Sequence, residues 1–488
     1  MALMESFSGI RGIYGTELTE EITRRYAIVY SKFLKEHKLD KKTDKKPDKK
    51  QSKEKSTCIV IGRDTRQTGN DLKRFLIESC DCNIIDVGVL PTATIEFAVR
   101  HYKADGGIII TASHNEPEYN GFKILDENGA VMNPKDISRI IDEVHKLNDI
   151  KLTSAKSSSE KGTEKRTKEI TKKRSVKNGH LDALEAYCSF VTNLLSDKEK
   201  KELEERKIKI VVDPNGGTGT ISKKIFDKMG IKAVYLNMNE GEFKRKVEPT
   251  KDSLSYLINQ INDLGCEFAA GFDCDADRVE IILLNGNLVS GNKTLAIIAK
   301  QILSEKNNLN SSIVVNDATS YVVKEAVKPY GAKWIEVEVG ETNVVNAMLK
   351  VKAPIGGEGS NGGIIIPPSR CRDGIITLIY LFKAMIKSNK TLPELLSDLP
   401  EYFYQSKKLV LTDDFANYRE KVKSYYIKKG YKVLESGDET GGIKVLKDDS
   451  WVWFRQSKTE DKILRIIVDT KKEALVLKLM DEAASIVK

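Results

Sequence analysis

Three times along this chain a short aliphatic run, with no polar alternation, is followed by an amphipathic helical stretch. The first repeat is the longest. Cys58–Gly62 (CIVIG) reads as a strand, Asp71–Cys80 as a helix, Asn83–Val87 as a strand and Gly107–Thr111 (GIIIT) as another. Successive strand residues point to opposite faces, so a run that is apolar at every position must be covered on both. The unit recurs at Ile208–Asp213, before a helix from about Ser222 to Met229. It recurs again at Ile313–Asn316, before a helix from about Ser320 to Lys328. Strands covered on both faces and joined through helices build mostly parallel sheets flanked by helices. The end of the chain differs. Trp451–Phe454 and Ile463–Asp469 read as neighbouring strands, with a helix from Lys472 to Val487 after them. The expected fold class is therefore α/β: three related α/β domains with mixed, mostly parallel sheets, plus a smaller C-terminal α+β domain beginning near residue 400.

With 488 residues, 40% of them hydrophobic, the chain holds more than one core can use, which agrees with three or four domains. No apolar run approaches the ~18 residues that span a bilayer. The longest, Ile375 to Ile386, contains Thr377 and Lys383 and reads as a buried helix. MALMESFSGIRG lacks the apolar core of a signal peptide, so no membrane association and a cytoplasmic location are expected. The seven cysteines show no CxxC spacing and read as free thiols of a reducing compartment.

The formal charge of +9 invites a nucleic-acid reading, but the excess is local. Between Lys35 and Lys55 ten lysines face five acidic residues. Between Thr153 and His180 nine lysines and arginines face three glutamates. These two segments outweigh the whole +9, so the rest of the chain is slightly acidic. Poor in aliphatic residues, they read as solvated loops, with weak polyanion binding as the sharper alternative. Neither interleaves aromatics, as a base-stacking surface would, so no nucleic-acid partner is expected.

Chemistry concentrates in four motifs. In Asp273-Cys274-Asp275-Ala276-Asp277-Arg278, three carboxylates at i, i+2 and i+4 would repel one another unless a cation lay between them. All-oxygen ligands without histidine or cysteine select Mg²⁺ or a similar hard cation. A solvated acidic turn is the bland alternative, and the apolar Phe268–Ala270 and Ile281–Leu284 around it argue otherwise. Thr111-Ala112-Ser113-His114-Asn115 ends a buried strand, with Asn120-Gly121-Phe122-Lys123 just beyond. A serine there is placed for chemistry, and His114 and Lys123 could move a proton or hold an oxyanion. By itself the pair fits a capping serine and a surface histidine at least as well. Gly356-Gly357-Glu358-Gly359-Ser360-Asn361-Gly362-Gly363 lets a loop approach a ligand, with Glu358, Ser360 and Asn361 as partners for sugar hydroxyls; Arg370-Cys371-Arg372-Asp373-Gly374 follows it. Arg455-Gln456-Ser457-Lys458-Thr459-Glu460 is a cationic, hydroxyl-bearing turn that could clamp a phosphate. Asp213-Pro214-Asn215-Gly216-Gly217-Thr218-Gly219 lacks the Walker lysine and reads as a structural strand-to-helix turn.

In this order, the motifs resemble those of the α-D-phosphohexomutase superfamily, over nearly the whole chain apart from the two basic segments. SFSGIRG (Ser6–Gly12) resembles the family's N-terminal arginine loop, which would bring Arg11 to the active site. Gly62-Arg63-Asp64-Thr65-Arg66 resembles its first-strand turn. TASHNEPEYNGFK looks like its phosphoserine loop, with Ser113 as phosphoryl carrier beside His114 and Lys123. DCDADR looks like its metal loop. By this likeness Asp273, Asp275, Asp277 and the Ser113 phosphate would hold Mg²⁺, and Arg278 would face the substrate. GGEGSNGG sits where the family reads its sugar, and RQSKTE where it binds the distal phosphate through Arg455, Ser457, Lys458 and Thr459.

The resemblance implies four domains around a central active-site cleft. Residues 1–152 would form domain I, with a lysine-rich insert at 36–56, and 153–180 a Lys/Ser-rich linker. Domains II, III and IV would be 181–286, 287–400 and 401–488. It also implies the activity: hexose 1-phosphate and 6-phosphate interconverted through a hexose 1,6-bisphosphate, which also serves as activator, by a monomer or dimer. SGIRG, the NGG ending of the sugar loop and VGETNV (Val339–Val344) are closest to archaeal-type phosphoglucosamine and phosphomannomutases. Three loops depart from the pattern. The sugar loop has no histidine, Glu116 replaces a proline, and the terminal loop carries Gln456, Lys458 and Asp461. Two other functions remain open: a Mg²⁺-dependent sugar phosphatase with Asp273 as nucleophile, and a polyanion-binding protein on an inactive mutase body.

Overall fold

The computed structural model describes residues 3–6, 9–43, 56–149, 174–359, 362–438, 440–457 and 462–487. Among them the first sheet holds β1 (Met4–Ser6), β2 (Gly9–Ile13), β3 (Cys58–Arg63), β4 (Asn83–Val89), β5 (Gly106–Ile110), β6 (Tyr119–Leu125) and β7 (Val176–Asn178). Their order is β1-β2-β6-β5-β3-β4-β7. The unbroken aliphatic run becomes β5 at the centre, parallel to β3 and antiparallel to β6. Both of its faces are covered. Ile108 and Ile110, with Ile59 and Ile61 of β3, pack against Tyr26, Tyr30, Leu72 and Phe75. Ile109 and Val60 face the other way, into Ile95, Ala98 and Val99. Each such aliphatic side chain contributes about 1.5–3 kcal/mol on burial, which leaves this strand one workable register.

Both basic segments begin or end in regular structure, a correction to their reading as loops. The helix Glu20–Thr43 runs into the 36–56 segment. Its face of Tyr26, Ala27, Tyr30, Phe33 and Leu34 is already buried in the core, and lysine and glutamate extend an anchored helix at little cost. Residues 44–55 lie outside the described residues. In the 153–180 segment, β7 pairs in parallel with β4, and the helix His180–Thr192 follows. All three residues of β7 are exposed. A sheet edge offers backbone partners whatever the side chains are, so hydrophobic patterning could not announce it. Residues 151–173 lie outside the described residues.

A second sheet orders β8 (Lys209–Asp213), β9 (Lys232–Tyr235), β10 (Phe268–Phe272) and β11 (Val279–Leu283) as β11-β10-β8-β9. β8 is parallel to β9 and to β10, and β10 and β11 form an antiparallel hairpin. These two sheets belong to one unit, Met1–Asn287 with Ser369–Ile375.

The other unit is Leu288–Pro368 with Ile376–Lys488. After the short β12 (Leu288–Val289), strands β13 (Ser312–Asn316), β14 (Lys333–Val337), β15 (Ile355–Glu358) and β16 (Gly363–Ile365) lie in the order β14-β13-β15-β16. An antiparallel sheet completes it, with β17 (Phe403–Val410), β18 (Lys432–Glu435), β19 (Ile443–Lys447), β20 (Ser450–Gln456) and β21 (Ile463–Thr470) ordered β17-β21-β20-β19-β18. The pairing of Trp451 with Asp469 sets β20 beside β21, as the sequence suggests. Among the described residues no helix is long and apolar enough to cross a membrane.

Within this unit Asp469 of β21 is fully buried. It accepts the Ser320 hydroxyl (2.7 Å) and the Tyr321 N–H (2.8 Å) at the start of the helix Tyr321–Val327. Burial pushes its carboxyl up to about 6, against the pull of those donors and of Lys444. Between the unfolded carboxylate value and 6 the folded state binds the extra proton, so stability falls as pH rises through this window. The stability difference between wild type and Asp469→Asn is expected to shift by about 2 kcal/mol from pH 4 to pH 7 in favour of the variant. Urea unfolding at the two pH values checks this; a pH-independent difference refutes it.

Candidate active site

The serine lies just beyond β5. Thr111 donates its N–H to the Gly121 carbonyl (3.0 Å), and its Oγ1 accepts the Ser113 N–H (2.8 Å). Ser113 is held at φ +51°, a left-handed conformation that costs a non-glycine residue about 1–2 kcal/mol and persists only where neighbours impose it. Arg66 is such a neighbour. It donates to the carbonyls of Ser113 (3.0 Å) and Asn115, and it pairs with Asp64, with both side chains fully buried. Gly121 serves the same packing from β6. A Cβ there would sit 2.2 Å from the Ile10 carbonyl oxygen, so only glycine lets β2 and β6 approach behind the serine loop.

The acidic motif is the turn of the β10–β11 hairpin, closed by the pairing of Phe272 with Val279. Ala276, at φ +53°, is also left-handed. Ligand atoms of Asp273, Asp275 and Asp277 lie within 4.8 Å of one another, and all three residues are fully buried. Each carboxylate has a defined partner. Asp273 accepts the Ser113 hydroxyl on Oδ2 (3.1 Å) and the Arg278 N–H on Oδ1 (3.2 Å). Asp275 accepts the Thr92 hydroxyl (2.6 Å) and Lys123 Nζ (3.0 Å) on Oδ2. Asp277 accepts Lys123 Nζ (2.9 Å) and Arg372 Nη2 (2.9 Å) on its own Oδ2. The Oδ1 atoms of Asp275 and Asp277 are buried without a hydrogen-bond partner. Buried carboxylate oxygens left in this state, in an all-oxygen cluster, fit a hard divalent cation.

The local field follows from this arrangement. Burial and the two neighbouring carboxylates push Asp273 well above the usual carboxylate range. Burial opposes ionisation of Asp277 as well, but Arg372, Lys123 and Arg278 outweigh it and hold its carboxyl well below that range. His114 is driven well below its ordinary value by Arg278, burial, Arg11 and Arg372, so it is neutral, and its Nδ1 is buried without a partner. Arg11, lowered by burial to about 10, stays cationic and donates to Asn115 Oδ1 (3.0 Å). The first unit thus brings together Ser113, His114, Lys123, Arg278, Arg11 and the three aspartates. It adds three residues to which the sequence reading gave no role. Thr92 and Arg372 hold metal-loop carboxylates, and Arg66 holds the serine backbone.

The sugar-loop and clamp residues belong to the second unit. Glu358, the last residue of β15, is buried and accepts Asn316 Nδ2 (3.2 Å) and the Gly340 N–H (2.9 Å) on Oε1. Arg455, near the end of β20, donates to Glu338 Oε1 (2.7 Å) and the Val339 carbonyl (3.4 Å), a carboxylate partner that the motif did not suggest. Ser457 donates its N–H to the Ile463 carbonyl (2.7 Å). Ser360, Asn361, Lys458 and Thr459 lie outside the described residues.

Comparison with known proteins bears on the whole chain. Three family descriptions match it in order: phosphoglucomutase/phosphomannomutase alpha/beta/alpha domain I over residues 5–151, domain II over 185–286 and domain III over 290–403. A phosphoglucomutase/phosphomannomutase of Thermococcus kodakarensis is 33% identical over 489 residues, covering 97% of this chain and 98% of its own. Among solved structures, a phosphoglucomutase/phosphomannomutase family protein of Burkholderia thailandensis shares the fold with a TM-score of 0.78 at 20% identity, covering 100% of this chain and 98% of its own. An Aspergillus fumigatus N-acetylphosphoglucosamine mutase, in complex with GlcNAc-6P and magnesium, has a TM-score of 0.56 at 13% identity, over 81% of this chain and 92% of its own. A 33% identity sustained from end to end, over the ordered matches to three of the family's domains, means that this chain belongs to the phosphoglucomutase/phosphomannomutase family of α-D-phosphohexomutases, enzymes of the isomerase class that transfer a phosphoryl group within their substrate.

Proposed function

We propose that this enzyme interconverts hexose 1-phosphate and hexose 6-phosphate through a phosphorylated Ser113, with Mg²⁺ as its cofactor and a hexose 1,6-bisphosphate as intermediate. The observation that carries this reading is the Ser113 hydroxyl 3.1 Å from Asp273 Oδ2, at the edge of a buried three-carboxylate cluster. Asp273, Asp275, Asp277 and the phosphorylated serine are the groups that would hold the cation. When bound, it supplies charge neutralisation to a phosphoryl group in transfer.

The chain's own residues do the rest. In one direction the phosphorus–Oγ bond of Ser113 breaks as a bond to the sugar's free hydroxyl forms; the reverse transfer, from the other end of the bisphosphate, restores the serine ester. Lys123, Arg278 and Arg11 supply fixed positive charge around the serine, where positioning and electrostatics carry most of the catalysis. His114, beside Ser113 and with its buried Nδ1 unpartnered, is the candidate acceptor for the hydroxyl proton. Glu358, Ser360 and Asn361 are assigned to the sugar; Arg455, Ser457, Lys458 and Thr459 to the distal phosphate. The domain limits given above are proposed with them.

A phosphatase using Asp273 as nucleophile is the weaker reading, because it gives no role to the Ser113 hydroxyl held on Asp273 Oδ2. Phosphorus NMR tests the proposal, with glucosamine, mannose and glucose 1-phosphates offered in turn beside a trace of hexose 1,6-bisphosphate. A 6-phosphate that forms with Mg²⁺ and stops forming with EDTA is the expected result, and the fastest sugar names the substrate. Release of free phosphate alone would sink the mutase.

A further inference from the structure

Residues Ser369–Ile375 belong to the first unit, although the chain on either side of them belongs to the second. Their place in the first unit is fixed at several points. The Tyr187 hydroxyl donates to Asp373 Oδ2 (2.6 Å), and Asp373 Oδ1 accepts the Ile375 N–H (3.0 Å). Gly374 donates its N–H to the carbonyl of Ala276, inside the metal loop (3.1 Å). A Cβ on Gly374 would meet both that carbonyl oxygen and the Phe272 ring at 3.0 Å, so the segment lies directly against the loop. This fixes Arg372, only 8% exposed, with Nη2 on Asp277 Oδ2.

Lys123 donates to the same oxygen. Two donors converging on Oδ2 set the rotation of the Asp277 carboxylate about its stem, and Oδ1 is left buried without a hydrogen-bond partner. We infer that Arg372 is a positioning residue of the metal centre, holding Asp277 turned so that Oδ1 faces the cation. This rests on the metal reading proposed above.

A cation beside a cation site can act in two opposite ways. As a bare charge Arg372 would repel the metal, and its removal would tighten binding. As a positioning group it lowers the reorganisation needed when the metal binds, and its removal would weaken binding. Its guanidinium is on Oδ2 and leaves Oδ1 without a hydrogen-bond donor, which favours the second effect.

The test is Mn²⁺ titrated into metal-free, full-length protein, followed by the electron paramagnetic resonance of the free ion. Arg372→Met is expected to raise the Mn²⁺ dissociation constant about 10-fold, within the range found when partners of ligating groups are removed. Arg372→Lys, which keeps a donor for Oδ2, should recover part of the loss. Tyr187→Phe, which releases Asp373 and touches no ligand, should weaken binding in the same direction. Equal or tighter Mn²⁺ binding by a folded Arg372→Met overturns the inference. If that variant does not fold, wild-type affinity in both Arg372→Lys and Tyr187→Phe overturns it. If wild type itself binds no Mn²⁺, the metal reading falls, and this inference with it.

Discussion

Ser113→Ala is expected to cut mutase turnover by at least about 10³-fold while leaving the protein folded. A carrier cannot be bypassed by better binding: without Oγ there is no atom on which the phosphoryl group rests between its two transfers. The fold has little reason to respond. Alanine meets the same left-handed backbone that serine tolerates, and the substitution removes one hydrogen bond, to Asp273, worth about 1 kcal/mol. The site is also built to receive the charge. A phosphate on Ser113 brings close to two negative charges beside three carboxylates, acceptable only with compensation. Arg278, Arg11, Lys123 and Arg372 supply four cations within the same unit. Labelling with hexose 1,6-bisphosphate and mapping the phosphopeptide checks the assignment. Wild type should carry label on Ser113 and the variant none. A variant that still takes up one phosphate per chain, or still turns over, would place the carrier elsewhere.

The sequence announces the parts of this site that lie close together along the chain. Asp273, Asp275 and Asp277 fall in a single hairpin turn, so their alternation alone signals a shared ligand. Ser113 and Lys123 are ten residues apart, on the strand end and the neighbouring strand that bracket one loop. The unalternating run 106–110 signals a doubly covered strand because each of its faces has its own cluster. The parts contributed from a distance are silent. Arg372 stands 95 residues beyond Asp277, and nothing in RCRDG says that the segment leaves its neighbours for another unit. Thr92 looks like any residue that opens a helix until Asp275 is seen on its hydroxyl. Polar segments mislead in the other direction. Lysine-rich stretches look like loops, yet 36–43 is helix because the helix before it is anchored, and 176–178 is strand because an edge was open. Patterning reports side-chain burial, and it says nothing about backbone pairing or contacts across long sequence separations.

Arg66→Met is expected to destabilise the first unit by about 3–5 kcal/mol, because it breaks a fully buried ion pair by removing one partner. The carboxylate of Asp64 would keep the Arg66 backbone N–H (2.9 Å) but lose its charge partner, and the carbonyls of Ser113 and Asn115 would lose their donor. For a unit of this size the loss corresponds to a fall of roughly 5–8 °C in melting temperature. The same substitution should lower turnover by about 10²-fold at temperatures where the variant is folded, since small displacements of a reacting group are costly. These two effects separate in the double variant Asp64→Asn/Arg66→Met. With no charge left to bury, much of the stability should return, and the difference from the single variants measures the coupling of the pair. Activity should not return with it, because the Ser113 carbonyl still has no donor and its left-handed backbone is no longer imposed. Calorimetry and steady-state rates on wild type, the two single variants and the double variant decide the matter. A single variant that melts within about 2 °C of wild type, about 1 kcal/mol for a unit of this size, would deny the pair its structural weight. A double variant that regains both stability and rate would show that Arg66 serves only to neutralise Asp64, and that the serine loop holds its shape without it.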